Sequence, residues 1–143
     1  MAELERYKDA ETFQAAMSKG IYDTVYISNE KLTSENVAHI AQVLAKDTLV
    51  TTLWLQNNNL NDDSVEHLTQ LITVNNNLNS LCICNNNLTA KRAALIAQAL
   101  PKSSIMICKL YGNKMGNEGA LVFADFITQS AHTNETNATD EIM

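Results

Sequence analysis

The sequence predicts an α/β solenoid of four strand-then-helix units, with parallel strands lining a concave face and helices covering a convex one. Three observations predict it. The frame Val50-x-x-Leu53-x-Leu55-x-x-Asn58-x-Leu60 returns as Leu78-x-x-Leu81-x-Ile83-x-x-Asn86-x-Leu88 and as Ile105-x-x-Cys108-x-Leu110-x-x-Asn113-x-Met115. Upstream, Tyr22-x-x-Val25-x-Ile27-x-x-Glu30-x-Leu32 repeats it with Glu in place of Asn. The anchors Val25, Leu53, Leu81 and Cys108 stand 28, 28 and 27 residues apart, a spacing within the range of solenoid repeats. The third observation lies outside the frame. Offsets 12, 15, 18 and 19 from the anchors hold Val37, Ile40, Val43 and Leu44; Val65, Leu68, Leu71 and Ile72; Ala93, Ile96, Ala99 and Leu100; and Ala120, Phe123, Phe126 and Ile127. Every one is apolar in a chain that is 45% apolar, and steps of three, three and one place them on one helical face.

In chain order, residues 3–19 read as a helix ended by Gly20, with Ala10, Phe13, Ala16 and Met17 in the same spacing. This is half a repeat without a strand, and its charged residues suit an N-terminal cap over residues 1–20. Residues 21–129 carry the four repeats. Thr33, Asn61 and Thr89 stand where the first three helices begin and can accept from free N–H groups there; Gly116 is a weaker cap for the fourth. Asn58, Asn86 and Asn113 are expected to form a ladder of buried amides serving backbone groups that water cannot reach. Glu30 interrupts the ladder, which places the start of the stack at the first repeat. The run from Ser130 to Met143 is polar and aperiodic and reads as a disordered tail, leaving the strand near Ile107–Tyr111 as an uncapped edge.

Composition narrows the function. A net charge of −6 with ten scattered Lys and Arg offers no phosphate-tracking stripe, so no nucleic-acid partner is expected. Neither a membrane span nor a signal-peptide run is present in the sequence, and the chain is expected to start at its mature N-terminus. Three cysteines, an odd number, suit a reducing, cytoplasmic compartment. Cys108 falls on a core position. Cys82 and Cys84 share one face of a strand with Cα atoms about 6.5–7 Å apart, poor geometry for a mutual disulfide, and are expected to be free thiols on the surface. Two thiols make an incomplete zinc site. His39 and His67 sit on helices across the repeat from them, so no Cys-His nucleophile pair forms; no cofactor and no metal are expected.

The frame and period resemble the leucine-rich repeats of the ribonuclease-inhibitor-like class, most closely at Gly112-Asn113-Lys114-Met115-Gly116-Asn117-Glu118-Gly119-Ala120. The resemblance implies a horseshoe that binds protein, without the inhibitor's ligand. The Asn- and Thr-rich composition and acidic tail also resemble small leucine-rich-repeat effectors that intracellular bacteria deliver into host cells, and the tail is similar to signals read by type IV secretion machinery.

Alternation along the strands lists the concave face, whose central column is Tyr26, Trp54, Cys82 and Lys109, flanked by Gln56, Cys84 and Tyr111. These seven are the expected partner-binding residues. The lone tryptophan and a tyrosine one strand away stand outside the core, and such residues are enriched at binding hot spots. Four strands give a face of about 340 Å², under half of the roughly 800 Å² per partner of a standard interface. The expected function is therefore a non-enzymatic module that takes a protein or peptide on its strand face. Weak self-association through the C-terminal edge is the alternative, and a thiol-dependent enzyme a more distant one.

Overall fold

The computed structural model describes residues 2–116. Five parallel strands, β1 (Ala2–Leu4), β2 (Tyr22–Tyr26), β3 (Thr52–Trp54), β4 (Ser80–Cys82) and β5 (Ile107–Lys109), form one sheet in sequence order. Between them run α1 (Ala10–Met17), α2 (Ser34–Ala45), α3 (Val65–Val74) and α4 (Ala90–Ala99). Each helix packs on the next, and each strand pairs with the next. The anchors are in register: Val25 faces Leu53, Leu53 faces Leu81, and Leu81 faces Cys108. The fold is a leucine-rich-repeat arc. The expected fourth helix, with Ala120, Phe123, Phe126 and Ile127, and the tail 130–143 lie outside the described residues.

The core is built as the periodicity requires. Val25, Ile27, Leu53, Leu55, Leu81, Ile83, Cys108 and Leu110 are buried from the strand side. Val37, Ile40, Leu44, Val65, Leu68, Leu71, Ile72, Ala93, Ile96 and Leu100 meet them from the helix side. Val43 and Ala99 are only partly buried, because they line the grooves between α1 and α2 and between α3 and α4.

The N-terminus departs from expectation. Residues 3–19 are not one helix: Ala2–Leu4 pair in parallel with β2, and the helix is confined to Ala10–Met17, started by Asp9, whose side chain accepts from Thr12 N. The alternation Leu4 in and Glu3 out suits a strand, and the N-cap Asp9 divides strand from helix. The sheet therefore begins one strand before the first repeat. Glu30, read as the start of the stack, instead pairs with Arg6 at 2.6 Å, an ion pair to the segment that follows β1.

The caps differ in construction. Thr33 and Asn36 form a full capping box, while Asn61 opens a 3₁₀ turn, Asp62–Ser64, that feeds α3. Thr89 makes no cap bond within its own helix. Its hydroxyl and amide instead donate to the Asp62 carboxylate one repeat earlier, so the acidic run before α3 tethers the next helix start.

Candidate functional site

The sheet presents its concave face between two polar ladders that fix each strand in register. In the first, Asn86 Oδ1 accepts from Asn58 N and Leu60 N, both at 2.9 Å. Its Nδ2 donates to the carbonyls of Leu55, Ile83 and Cys84, each at 3.1 Å. Asn58 accepts from Glu30 N and donates to the carbonyls of Ile27, Leu55 and Gln56. Asn113 accepts from Leu88 N and donates to the carbonyls of Ile83 and Leu110. Each amide thus satisfies its own turn and the turn before it.

A second ladder, not anticipated from the sequence, closes the opposite end of the repeat at offset 22. Asp47 Oδ1 accepts from Leu49 N and Val50 N. Asn75 Oδ1 accepts from Asn77 N and Leu78 N, and its Nδ2 donates to Leu44 O in the preceding repeat. Ser103 Oγ accepts from Ile105 N. A polar residue recurring at one offset was the available signal. A third column was equally missed: Asn29, Asn57, Asn85 and Gly112, at offset 4, all have φ between 56° and 78°. Asn and Gly are the residues that tolerate this left-handed turn. The Asn at this offset therefore has a backbone cause, distinct from the amide ladders.

Between the ladders lie the candidate contact residues. Tyr26 and Trp54 occupy the same row on β2 and β3, with ring centroids 5.5 Å apart and planes tilted by 38°. Both are half-buried. Trp54 Nε1 donates to Ser80 Oγ at 3.1 Å, which sets the indole orientation, and Gln56 Nε2 donates to Tyr26 Oη at 2.6 Å. From β5, the Lys109 ammonium reaches across the row to 5.9 Å from the Trp54 ring centroid, a cation-π distance. Tyr111 is half-exposed at the rim.

Cys82 and Cys84 belong to this side of the sheet but are not on its surface. Their exposures are 1% and 0%, which corrects their expected place among accessible contact residues. The physical reason is size: in the row Trp54, Cys82, Lys109 the small thiol sits between two long side chains, and they meet above it. The two sulfurs stand 3.1 Å apart as free thiols, with Gln56 Oε1 3.9 Å from Cys82 Sγ. Burial pushes the Cys84 thiol up to about 12, helped by its neighbour Cys82. Cys108 lies on the core side, where burial raises it further. A catalytic thiol needs the opposite shift.

The histidines stand on helices α2 and α3 rather than on the sheet that carries the thiols. His39 lines the groove between α1 and α2, and His67 the next groove, between α2 and α3. Among the described residues no three His, Cys, Asp or Glu gather closely enough to hold a metal ion, and no helix is long and apolar enough to cross a membrane.

No family model matches the chain, and neither does any curated protein. Among solved structures it is similar to the C-terminal domain of tropomodulin from Caenorhabditis elegans, with a TM-score of 0.72 at 18% identity. The match covers 94% of this chain and 93% of that one. At that identity the likeness concerns the fold, a leucine-rich-repeat arc.

Proposed function

We propose that this protein is a non-enzymatic interaction module that binds a protein or an extended peptide on its concave strand face, with the Tyr26–Trp54 pair as anchor. The observation that carries the reading is the held state of that pair. Ser80 fixes the indole, Gln56 holds the Tyr26 hydroxyl, and Lys109 lies over the Trp54 ring. A partner meeting these rings pays little rotamer entropy for large apolar contact, the property that makes Trp and Tyr hot-spot residues.

Area sets the partner's size. Five strands rather than four widen the face to about 24 Å, or about 410 Å², still about half of one side of a standard interface. A peptide or a narrow ridge fits that face; a larger partner would also engage the loop edge bearing Asn29, Asn57 and Asn85. Cys82 and Cys84 support the floor beneath the contact residues, and Gln56, Lys109 and Tyr111 complete its rim.

The test is affinity capture followed by titration with Trp54→Ala, with circular dichroism to check folding. Loss of a hot spot worth about 2 kcal/mol or more weakens binding at least about thirtyfold. Unchanged affinity in the folded variant removes the column from the account. Self-association through the C-terminal edge is the competing reading, favoured by Met106, an apolar residue beside β5 that is 43% exposed. Sedimentation across a concentration series decides it, since a strictly monomeric chain rules it out. Delivery into a host cell is supported by composition alone, and a translocation reporter with and without residues 130–143 tests it.

A further inference from the structure

We propose that Cys82 and Cys84 form a two-coordinate thiolate site for a soft monovalent metal ion of the cuprous type, built into the floor of the concave face. The inference rests on the paired thiols and stands apart from the docking reading. Their Sγ atoms are 3.1 Å apart, Cys82 at the end of β4 and Cys84 two residues beyond it, both buried and not bonded to each other.

The strand's own geometry separates this chemistry from a disulfide. Residues two apart on an extended strand have Cα atoms about 6.5–7 Å apart, at or beyond the usual limit for a disulfide bridge. The strand cannot shorten easily, because the sheet holds it from both sides. Cys82 O accepts from Leu55 N at 2.8 Å, and Cys84 O from Asn57 N at 3.1 Å. On the other side, Ile83 N donates to Lys109 O and Asn85 N to Tyr111 O, both at 2.9 Å. A bridging ion makes no such demand. With metal–sulfur bonds of about the 2.3 Å that zinc makes to thiolate, a linear bis-thiolate separates its sulfurs by about 4.6 Å, reached by turning the two side chains apart while the backbone stays in place.

The donor set selects the ion. Among the described residues no third His, Cys, Asp or Glu joins the pair, so a tetrahedral zinc site lacks half its ligands. Thiolates favour cuprous copper, and that ion is satisfied by two of them in a line. Charge is balanced by a neighbour: the bound unit carries one negative charge, and Lys109, in register with Cys82, extends its ammonium across the row to Trp54. In the binding step two metal–sulfur bonds form and each thiol releases its proton to solvent. The metal keeps its oxidation state.

Cys108 provides an internal control, since its thiol lies in the core on the other side of the sheet. The full chain, kept anaerobic, is titrated with cuprous ion against a chromophoric cuprous chelator and examined by native mass spectrometry. One copper per chain is expected, with quenching of emission from the single tryptophan, Trp54, which neighbours Cys82. Cys108→Ser keeps the copper, while Cys82→Ser and Cys84→Ser each lose it with an unchanged circular dichroism spectrum. Three results overturn the proposal: the chelator strips all the copper from the wild type, the double Cys82→Ser/Cys84→Ser variant still retains it, or mild metal-free oxidation joins Cys82 to Cys84 in the folded chain.

Discussion

Replacing Asn86 by Ala removes the most heavily used amide of the frame ladder, and the structure allows its effect to be worked out. Asn86 is 4% exposed and makes five contacts within 3.1 Å. Its Oδ1 is the acceptor for two backbone N–H groups, Asn58 N and Leu60 N, whereas Asn58 and Asn113 each serve one. A buried donor left unpaired costs about 1–3 kcal/mol. Two such donors put Asn86→Ala at about 2–6 kcal/mol, a large fraction of a typical domain's stability of about 5–15 kcal/mol. With a urea slope of about 2 kcal/mol per M, the unfolding midpoint falls by about 1–3 M. The assay is equilibrium urea denaturation of Asn58→Ala, Asn86→Ala and Asn113→Ala side by side. Asn86→Ala should lose the most, exceeding Asn58→Ala by roughly one orphaned donor. Asn113→Ala should lose less than Asn86→Ala, because its amide is only part-buried and makes three contacts. Equal losses at all three positions, or an Asn86→Ala midpoint indistinguishable from wild type, would refute the counting of unpaired donors.

Further expectations follow from other local features. Thr33→Ala removes the half of the capping box in which Thr33 Oγ1 accepts from Asn36 N at the start of α2 and should cost about 1 kcal/mol in denaturation. Gly112→Ala should cost about 1–3 kcal/mol, since φ is +78° and an added Cβ would lie 3.0 Å from the Asn85 backbone nitrogen; Asn57→Gly, at φ 58°, should be nearly neutral in the same assay. The Asp9 carboxyl is held below its usual range by the hydrogen bond from the Thr12 side chain, joined by the Thr12 amide. A depressed carboxylate pKa means that this cap's contribution is present above about pH 4 and disappears as pH falls through the folded value. Amide exchange in α1, corrected for intrinsic rates, should therefore lose protection below about pH 4 in wild type and show no such step in Asp9→Asn. Cys82, Cys84 and Cys108 are all buried, so maleimide labelling at pH 7 should be slow for all three in the folded chain and fast in urea.

Periodicity made most of the sheet and core legible. A strand position one repeat on has the same neighbours, so Val25, Leu53, Leu81 and Cys108 could be aligned in sequence and are aligned in space. The same reasoning fails where a residue's surroundings are not periodic. Ala2–Leu4 carries no recognisable copy of the frame, and a three-residue strand becomes one by pairing with β2. At the candidate site, alternation assigned Tyr26, Trp54, Cys82 and Lys109 to one face of the sheet. Alternation cannot report what lies above a side chain. Whether a thiol is open to solvent depends on the reach of Trp54 and Lys109 from neighbouring strands, about 4.8 Å to either side.

By itself, the sequence determined the fold class, the register of the repeats and the side of the sheet on which each strand residue stands. These follow from spacing along the chain, because a repeated unit can bury its apolar face only against its own copy. Tertiary structure alone decided that the sheet starts at Ala2, that Tyr26 and Trp54 touch at a tilt under Lys109, and that Cys82 and Cys84 lie covered with their sulfurs together. The contacts of Tyr26, Trp54 and Lys109 and the cover over the thiols depend on side-chain length and direction across neighbouring strands, which repeat spacing does not encode, and the first strand becomes one only by pairing with β2.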